Sequence, residues 1–275
     1  MDTCVEMMLM THDDSRTRSE GARESVHGCK RRVCILTCWS NQTPAKSMTG
    51  VSAVYIVTPG AENRADLVAA GIATAKAAKV PHAVVVSVPA VEAGGELLFK
   101  GQFKRIEEVV TSSGLPYTLL RLPMFVDNQW ANQGSIKAQG KVYGPSDGSK
   151  PVSLVTISDV GDASAAVLAN PESHANKTYT LASDTVTFDK IAAGFATATG
   201  NNVEYVQVPY AAALESMVGM GFPAWMAGGI CDLMKLVDTG SPAAVCDSAA
   251  LEALLGRSPT TFEQWLSPVA GGFKA

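Results

Sequence analysis

Two stretches decide the fold: V-S-A-V-Y-I-V-T at residues 51–58 and H-A-V-V-V-S-V at residues 82–88. Each is a near-continuous apolar run of strand length, the pattern of a strand covered on both faces. Pro59-Gly60 stops the first. Between the two, Ala65, Val68, Ile72 and Ala75 recur at helical spacing. Lys76 and Lys79 stand in the last turn, where the helix dipole favours cations, and Pro81 ends the run. After the second stretch, a small-residue loop through Gly94-Gly95 leads into a helix with Phe99, Phe103, Ile106 and Val110 on one face and Gly114 as its terminator. Residues 117–122 supply a third strand. Such alternation implies parallel pairing through right-handed crossovers, so the expected fold class is α/β with a doubly wound parallel sheet.

The C-terminal half is less regular and reads as a small α+β substrate lobe. Strands are expected near residues 152–157, 178–181 and 203–208. Helices are expected near 159–169, 188–199 (ended by Gly200), 211–220, 224–237 and 249–255. A last short helix has Thr260 and Glu263 in capping-box spacing before Trp265. Residues 1–45 differ from the rest: both charge signs are mixed, no helical stripe persists, and one strand is plausible at 32–37. The expected organisation is a disordered N-terminal segment over 1–45 and a body over 46–275 that includes the lobe.

With 275 residues, 47% of them hydrophobic, the chain is long enough to bury a full core. A formal net charge of -4 and no Lys/Arg cluster interleaved with aromatics exclude direct nucleic-acid binding. The apolar runs are strand-length, far short of the roughly 20 residues of a membrane span. Met7-Met8-Leu9-Met10 is too short for a signal-peptide core, so the expected compartment is cytoplasmic. Six cysteines are too few for a disulfide scaffold, and Cys29, Cys34 and Cys38 with His27 lack the paired C-x-x-C knuckles of a zinc site, so no metal is expected.

Ligands of open parallel sheets bind outside the carboxyl ends of the strands. The residues there are Thr58-Pro59-Gly60, Ser87-Val88-Pro89 and Leu122-Pro123-Met124-Phe125. Taken alone, they line a groove or merely turn the chain. Gly144-Pro145-Ser146-Asp147-Gly148 fits the G-x-S-x-G of hydrolase nucleophile elbows, but Pro151 and a strand follow where that motif needs a helix, so a turn is expected. His12, His27, His82 and His174 show neither ligand nor triad spacing.

Several longer stretches point to a family. They are G-V-S-A-V-Y-I-V-T-P-G-A-E-N-R (50–64), K-R-I-E-E (104–108), S-G-L-P-Y-T-L-L-R (113–121), F-V-D-N (125–128), K-T-Y-T-L (177–181) and L-L-G-R-S-P-T-T-F-E-Q-W (254–265). In this order the chain resembles the NmrA-like family of atypical short-chain dehydrogenases/reductases over residues 49–265. The resemblance implies a Rossmann fold that binds NAD(P), NADPH more commonly than NADH. Some such proteins reduce quinones or other small carbonyl or unsaturated substrates; others sense redox state by binding dinucleotide and act on a partner protein.

By the resemblance, Lys104, three residues before Glu107, holds the nicotinamide ribose and assists proton transfer. Thr58, Pro59, Ser87, Val88 and Pro123 line the cofactor groove, while Phe125, Asn128 and Trp130 form the substrate pocket wall. The implied partners are a small-molecule substrate and either a regulatory protein or a second copy of the chain.

Three departures stand out. Lys100 occupies the position four before Lys104 where ordinary short-chain dehydrogenases carry a tyrosine, and Leu122 separates Arg121 from Pro123. Gly21, Gly28 and Gly50 are too scattered for a G-x-x-G-x-x-G phosphate loop, so the Rossmann unit reads as N-terminally incomplete. The expected activity is therefore a reductase first, a dinucleotide sensor second, and a family member without its cofactor third.

Overall fold

The apolar runs become adjacent strands. In the computed structural model, which describes residues 5–10, 31–36 and 48–274, β3 (Ala53–Ile56) and β4 (Ala83–Ser87) pair in parallel with Val54 opposite Ala83. The chain divides into two compact units, Met1–Ser87 with Gln102–Arg121 and Gly161–Tyr179, and Val88–Gly101 with Leu122–Val160 and Thr180–Ala275.

The first unit is built on a six-stranded sheet of order β1-β2-β3-β4-β5-β9. Its strands are β1 (Val5–Met10), β2 (Arg31–Leu36), β3, β4, β5 (Tyr117–Arg121) and β9 (Lys177–Thr180). The pairings from β1 to β5 are all parallel. Helix α1 (Arg64–Ala77) joins β3 to β4 and buries Ala65, Val68, Ile72 and Ala75, the face read from the sequence. Helix α2 (Leu98–Thr111) joins β4 to β5 with Phe103, Ile106 and Val110 buried. Gly114 ends it at φ 74°, backbone that a side chain would strain.

Two strands lie within residues 1–45. One, β2, is the strand expected near 32–37; the other, β1, reads V-E-M-M-L-M and was not expected. Its apolar end carries no alternation that would mark a strand, and only pairing with β2 reveals it. Strand β2 takes the sheet position beside β3, Val33 opposite Ala53. Strand order rises with the chain from β1 to β5, so no reversal of order occurs among these described strands.

The second unit holds β6 (Met124–Phe125), α3 (Gln133–Gln139), β7 (Lys141–Gly144), β8 (Pro151–Val155) and the start of α4 (Ile157–Ala169). It continues with β10 (Asp184–Thr187), α5 (Phe188–Thr199), β11 (Glu204–Gln207), α6 (Tyr210–Gly219), α7 (Ala224–Asp238), α8 (Ala249–Leu255) and α9 (Phe262–Val269). The sheets are β10-β8-β6 and β11-β7. Leu154, Ile191, Phe195, Phe262 and Phe273 centre the core. Thr187 caps α5 through Lys190 N, and Gly200 ends it in the left-handed region.

The capping box of α9 is shifted by one residue from the expected Thr260/Glu263. Thr261 Oγ1 accepts from Gln264 N, and Gln264 Oε1 accepts from Thr261 N. Thr260 is unavailable because Asp159 takes both its N–H (2.7 Å) and its hydroxyl (3.0 Å). The segment 144–148 is a turn between strands, as expected: Ser146 is fully buried and donates to Met234 O at 3.1 Å. Among the described residues, no helix is long and apolar enough to cross a membrane.

Candidate active site

Strands β4 and β5 end in register, Ser87 opposite Arg121. Helix α2 sets Glu107 over both ends. Arg121 meets it in a two-point fork, Nε to Oε1 at 2.9 Å and Nη2 to Oε2 at 2.7 Å, and Ser87 Oγ donates to Oε1 at 2.6 Å. Both carboxylate oxygens are thereby occupied in a largely buried setting, where a bidentate pair is strong and geometrically specific. Ser87, read from the sequence as a cofactor contact, is fully buried with its hydroxyl proton committed to Glu107.

Lys104 lies about one helical turn before Glu107, exposed, with no hydrogen bond or ion pair among the described residues. Its ammonium is open to a ligand. Thr58 and Pro59 are half-buried in the loop leaving β3. That loop is held to α2 by Arg64, whose Nε donates to Ala61 O at 3.1 Å and whose guanidinium sits 4.9 Å from the Phe103 ring centroid. Gln102 joins the same contact: its Nε2 faces Glu62 O at 3.5 Å, while its Oε1 is buried without any hydrogen-bond partner.

The remaining sequence-derived positions fall in the second unit. Val88 is half-buried beside Ala90, Ala93 and Leu236. Pro123 and Phe125 are half-buried, and Asn128 is exposed. Trp130 is 40% exposed and stacks on Phe273 with centroids 4.6 Å apart. Asp127, which the sequence did not single out, holds this turn by accepting from Ile157 N (3.0 Å) and Trp265 Nε1 (3.2 Å).

Two buried polar centres elsewhere are structural. Asp159, fully buried, accepts from Ser183 Oγ, Arg257 Nη2, and Thr260 N and Oγ1. Burial pushes its carboxyl up, but these four donors together hold it below the ordinary carboxylate range. His82 Nε2 bonds Thr118 Oγ1 at 2.9 Å, and that hydroxyl donates to His174 O at 2.8 Å, so Nε2 carries the proton. Desolvation lowers the imidazole to about 4.

No group of three metal-ligating side chains occurs among the described residues, and Cys29, Cys38 and His27 lie outside them, as does His12.

A nicotinamide nucleoside presents hydroxyls and a carboxamide. Groups of that kind here are the Lys104 ammonium, the half-buried Thr58 hydroxyl and the Gln102 carbonyl, with Gln102 and Lys104, two positions apart on α2, facing different sides of the helix. The phosphate end draws less from these strand exits, since Pro59, Pro89 and Pro123 each remove a backbone N–H. Gly21 and Gly28 lie outside the described residues.

The chain is 26% identical over 235 residues to the NAD(P)H azoreductase of Xenophilus azovorans, covering 85% of this chain and 81% of that one. The fold matches an NADPH-dependent quinone oxidoreductase from Escherichia coli complexed with NADPH (TM-score 0.76, 22% identity, 87% and 90% of the two chains). It also matches the Citrobacter sp. triphenylmethane reductase complexed with NADP(H) (TM-score 0.71, 22% identity, 86% and 90%). The family model described as "NmrA-like family" matches residues 16–266, which include the Ser87–Glu107–Arg121 network and Lys104, and the chain belongs to that family.

Proposed function

We propose that this chain is a nicotinamide-dinucleotide-dependent reductase of a small quinone or other carbonyl or unsaturated substrate, taking NADPH in preference to NADH. The observation that carries the reading is its similarity to an NAD(P)H azoreductase over 85% of its length. The dinucleotide, when bound, supplies a hydride.

Lys104 is the catalytic residue: its ammonium donates to the ribose hydroxyls and passes a proton to the reduced substrate. Thr58 and Pro59 shape the cofactor groove within the first unit, with Ser87 acting through Glu107. The Glu107–Arg121 fork keeps α2, and with it Lys104, fixed against the strand ends. Within the second unit, Phe125, Asn128 and Trp130 offer a substrate two aromatic rings and one amide. Free thiols at Cys231 and Cys246 suit a cytoplasmic setting.

Lys100, standing where a tyrosine would supply a phenolic proton, favours a second reading: a dinucleotide-binding regulator that acts on a partner protein. Calorimetric titration with NADPH and NADH, followed by NADPH oxidation with quinone, azo and aldehyde substrates, separates the two. Saturable binding with turnover that drops about a hundredfold in Lys104→Ala supports the reductase. Binding without turnover turns the assignment to the regulator, and binding of neither nucleotide refutes both.

A further inference from the structure

Gln102 Oε1 is the one buried side-chain oxygen or nitrogen without a hydrogen-bond partner among the described residues. Buried acceptors in folded proteins are nearly always satisfied, so one that the chain's own groups leave over meets a donor from outside the chain. The amide cannot turn over to cure this. Its Nε2 faces Glu62 O at 3.5 Å, and a flip would set two carbonyl oxygens against each other. The oxygen is thus fixed beside the loop that leaves β3, at the carboxyl end of the sheet where ligands of such sheets bind.

We infer that Gln102 is a ligand-reading residue whose side-chain carbonyl accepts a hydrogen bond from a neutral N–H or O–H donor on the bound dinucleotide. The inference rests on the reductase reading above. Phosphates offer only acceptors at neutral pH and are excluded as the partner. Three kinds of group qualify: the carboxamide NH2, the adenine amino group and the ribose hydroxyls.

The test is calorimetry and thermal melting of the full chain and of Gln102→Met, which keeps the side-chain length and removes both polar atoms. The probes are NADP+ and its acetylpyridine analogue, in which a methyl group replaces the carboxamide NH2. Without nucleotide, Gln102→Met is expected to melt no lower than the native chain, because the unmet acceptor has gone. Its affinity for NADP+ is expected to fall roughly fivefold to tenfold.

Where the carboxamide is the donor, the native chain discriminates against the analogue by a similar factor and Gln102→Met does not. Where a ribose hydroxyl or the adenine amino group is the donor, the variant loses the same factor with both nucleotides. Equal affinity of Gln102→Met and the native chain for NADP+ overturns the inference and leaves the reductase reading standing. So does a lowered melting temperature with unchanged affinity, the signature of a resident water. A native chain that binds neither nucleotide overturns both. Should Gln102→Met fail to fold, Gln102→Ala, a truncation of a half-buried side chain, is read by the same criteria.

Discussion

Glu107 and Arg121, on α2 and at the end of β5, grip each other through two parallel hydrogen bonds of 2.9 and 2.7 Å while each side chain is about six-sevenths buried. Breaking such a pair from one side strands a charge in a poorly hydrated place. Arg121→Met is expected to cost about 3 kcal/mol, and the double change Arg121→Met with Glu107→Leu less than that, because no charge is left alone. Urea unfolding of the single and double variants checks this; a double variant as unstable as the sum of the two singles would contradict it.

His82 sets a pH window. Burial is the main cause of its lowered value, about 4, with Glu172 opposing and His174 reinforcing. A folded value below the unfolded 6.5 means the unfolded chain binds more protons between them. The contribution is therefore complete above about pH 6.5 and is lost as pH falls toward 4, in total about 3 kcal/mol. His82→Gln, whose amide keeps a donor for Thr118, is expected to flatten the stability profile across that window in a denaturant series.

Asp159 acts at lower pH with the same direction. Its carboxyl is held below the ordinary value in spite of burial, so its contribution is present above about pH 4 and fades as pH falls further. Asp159→Asn removes the charge and leaves one acceptor oxygen for donors on Ser183, Arg257 and Thr260. A loss of about 3 kcal/mol is expected, visible as a lowered melting temperature at pH 7.

Two helix glycines give opposite results on becoming alanine. At Gly194 in α5 a Cβ would lie 2.6 Å from Phe262 Cε1, so Gly194→Ala is expected to destabilise by about 1–3 kcal/mol. At Gly161 in α4 nothing lies within 4 Å, and alanine should gain about 0.5–1 kcal/mol from helix propensity alone. Melting temperatures that move in the same direction for both would show that the α5–α9 contact is looser than drawn.

The body of the fold was legible because its signals are local. Val68, Ile72 and Ala75 announce the buried face of α1 within ten residues, and the run at 82–88 announces a central strand by itself. Strand β1 was not, since an apolar patch among mixed charges becomes a strand only through a neighbour that starts 26 positions later in register. The site was half legible. Family motifs flagged Lys104 and the glutamate and arginine around it, but the tie from Ser87 to Glu107 spans 20 residues and two elements, and no periodicity encodes it. Gln102 carries no sequence signal at all, because what distinguishes it is a missing partner. The capping box slipped from Thr260 to Thr261 for the same kind of reason: Asp159, 101 positions away, had claimed the first threonine.

That long reach has a consequence for how the chain is made. Asp159 leaves the ribosome 101 residues ahead of Thr260 and 98 ahead of Arg257. At translation rates of about 5–20 residues per second the carboxylate waits on the order of 5–20 s for most of its donors. Until then, closing the unit would bury its charge without those donors, which favours the hydrated, open chain. The second unit thus closes late in synthesis, after the segment that carries Arg257 and Thr260 has emerged.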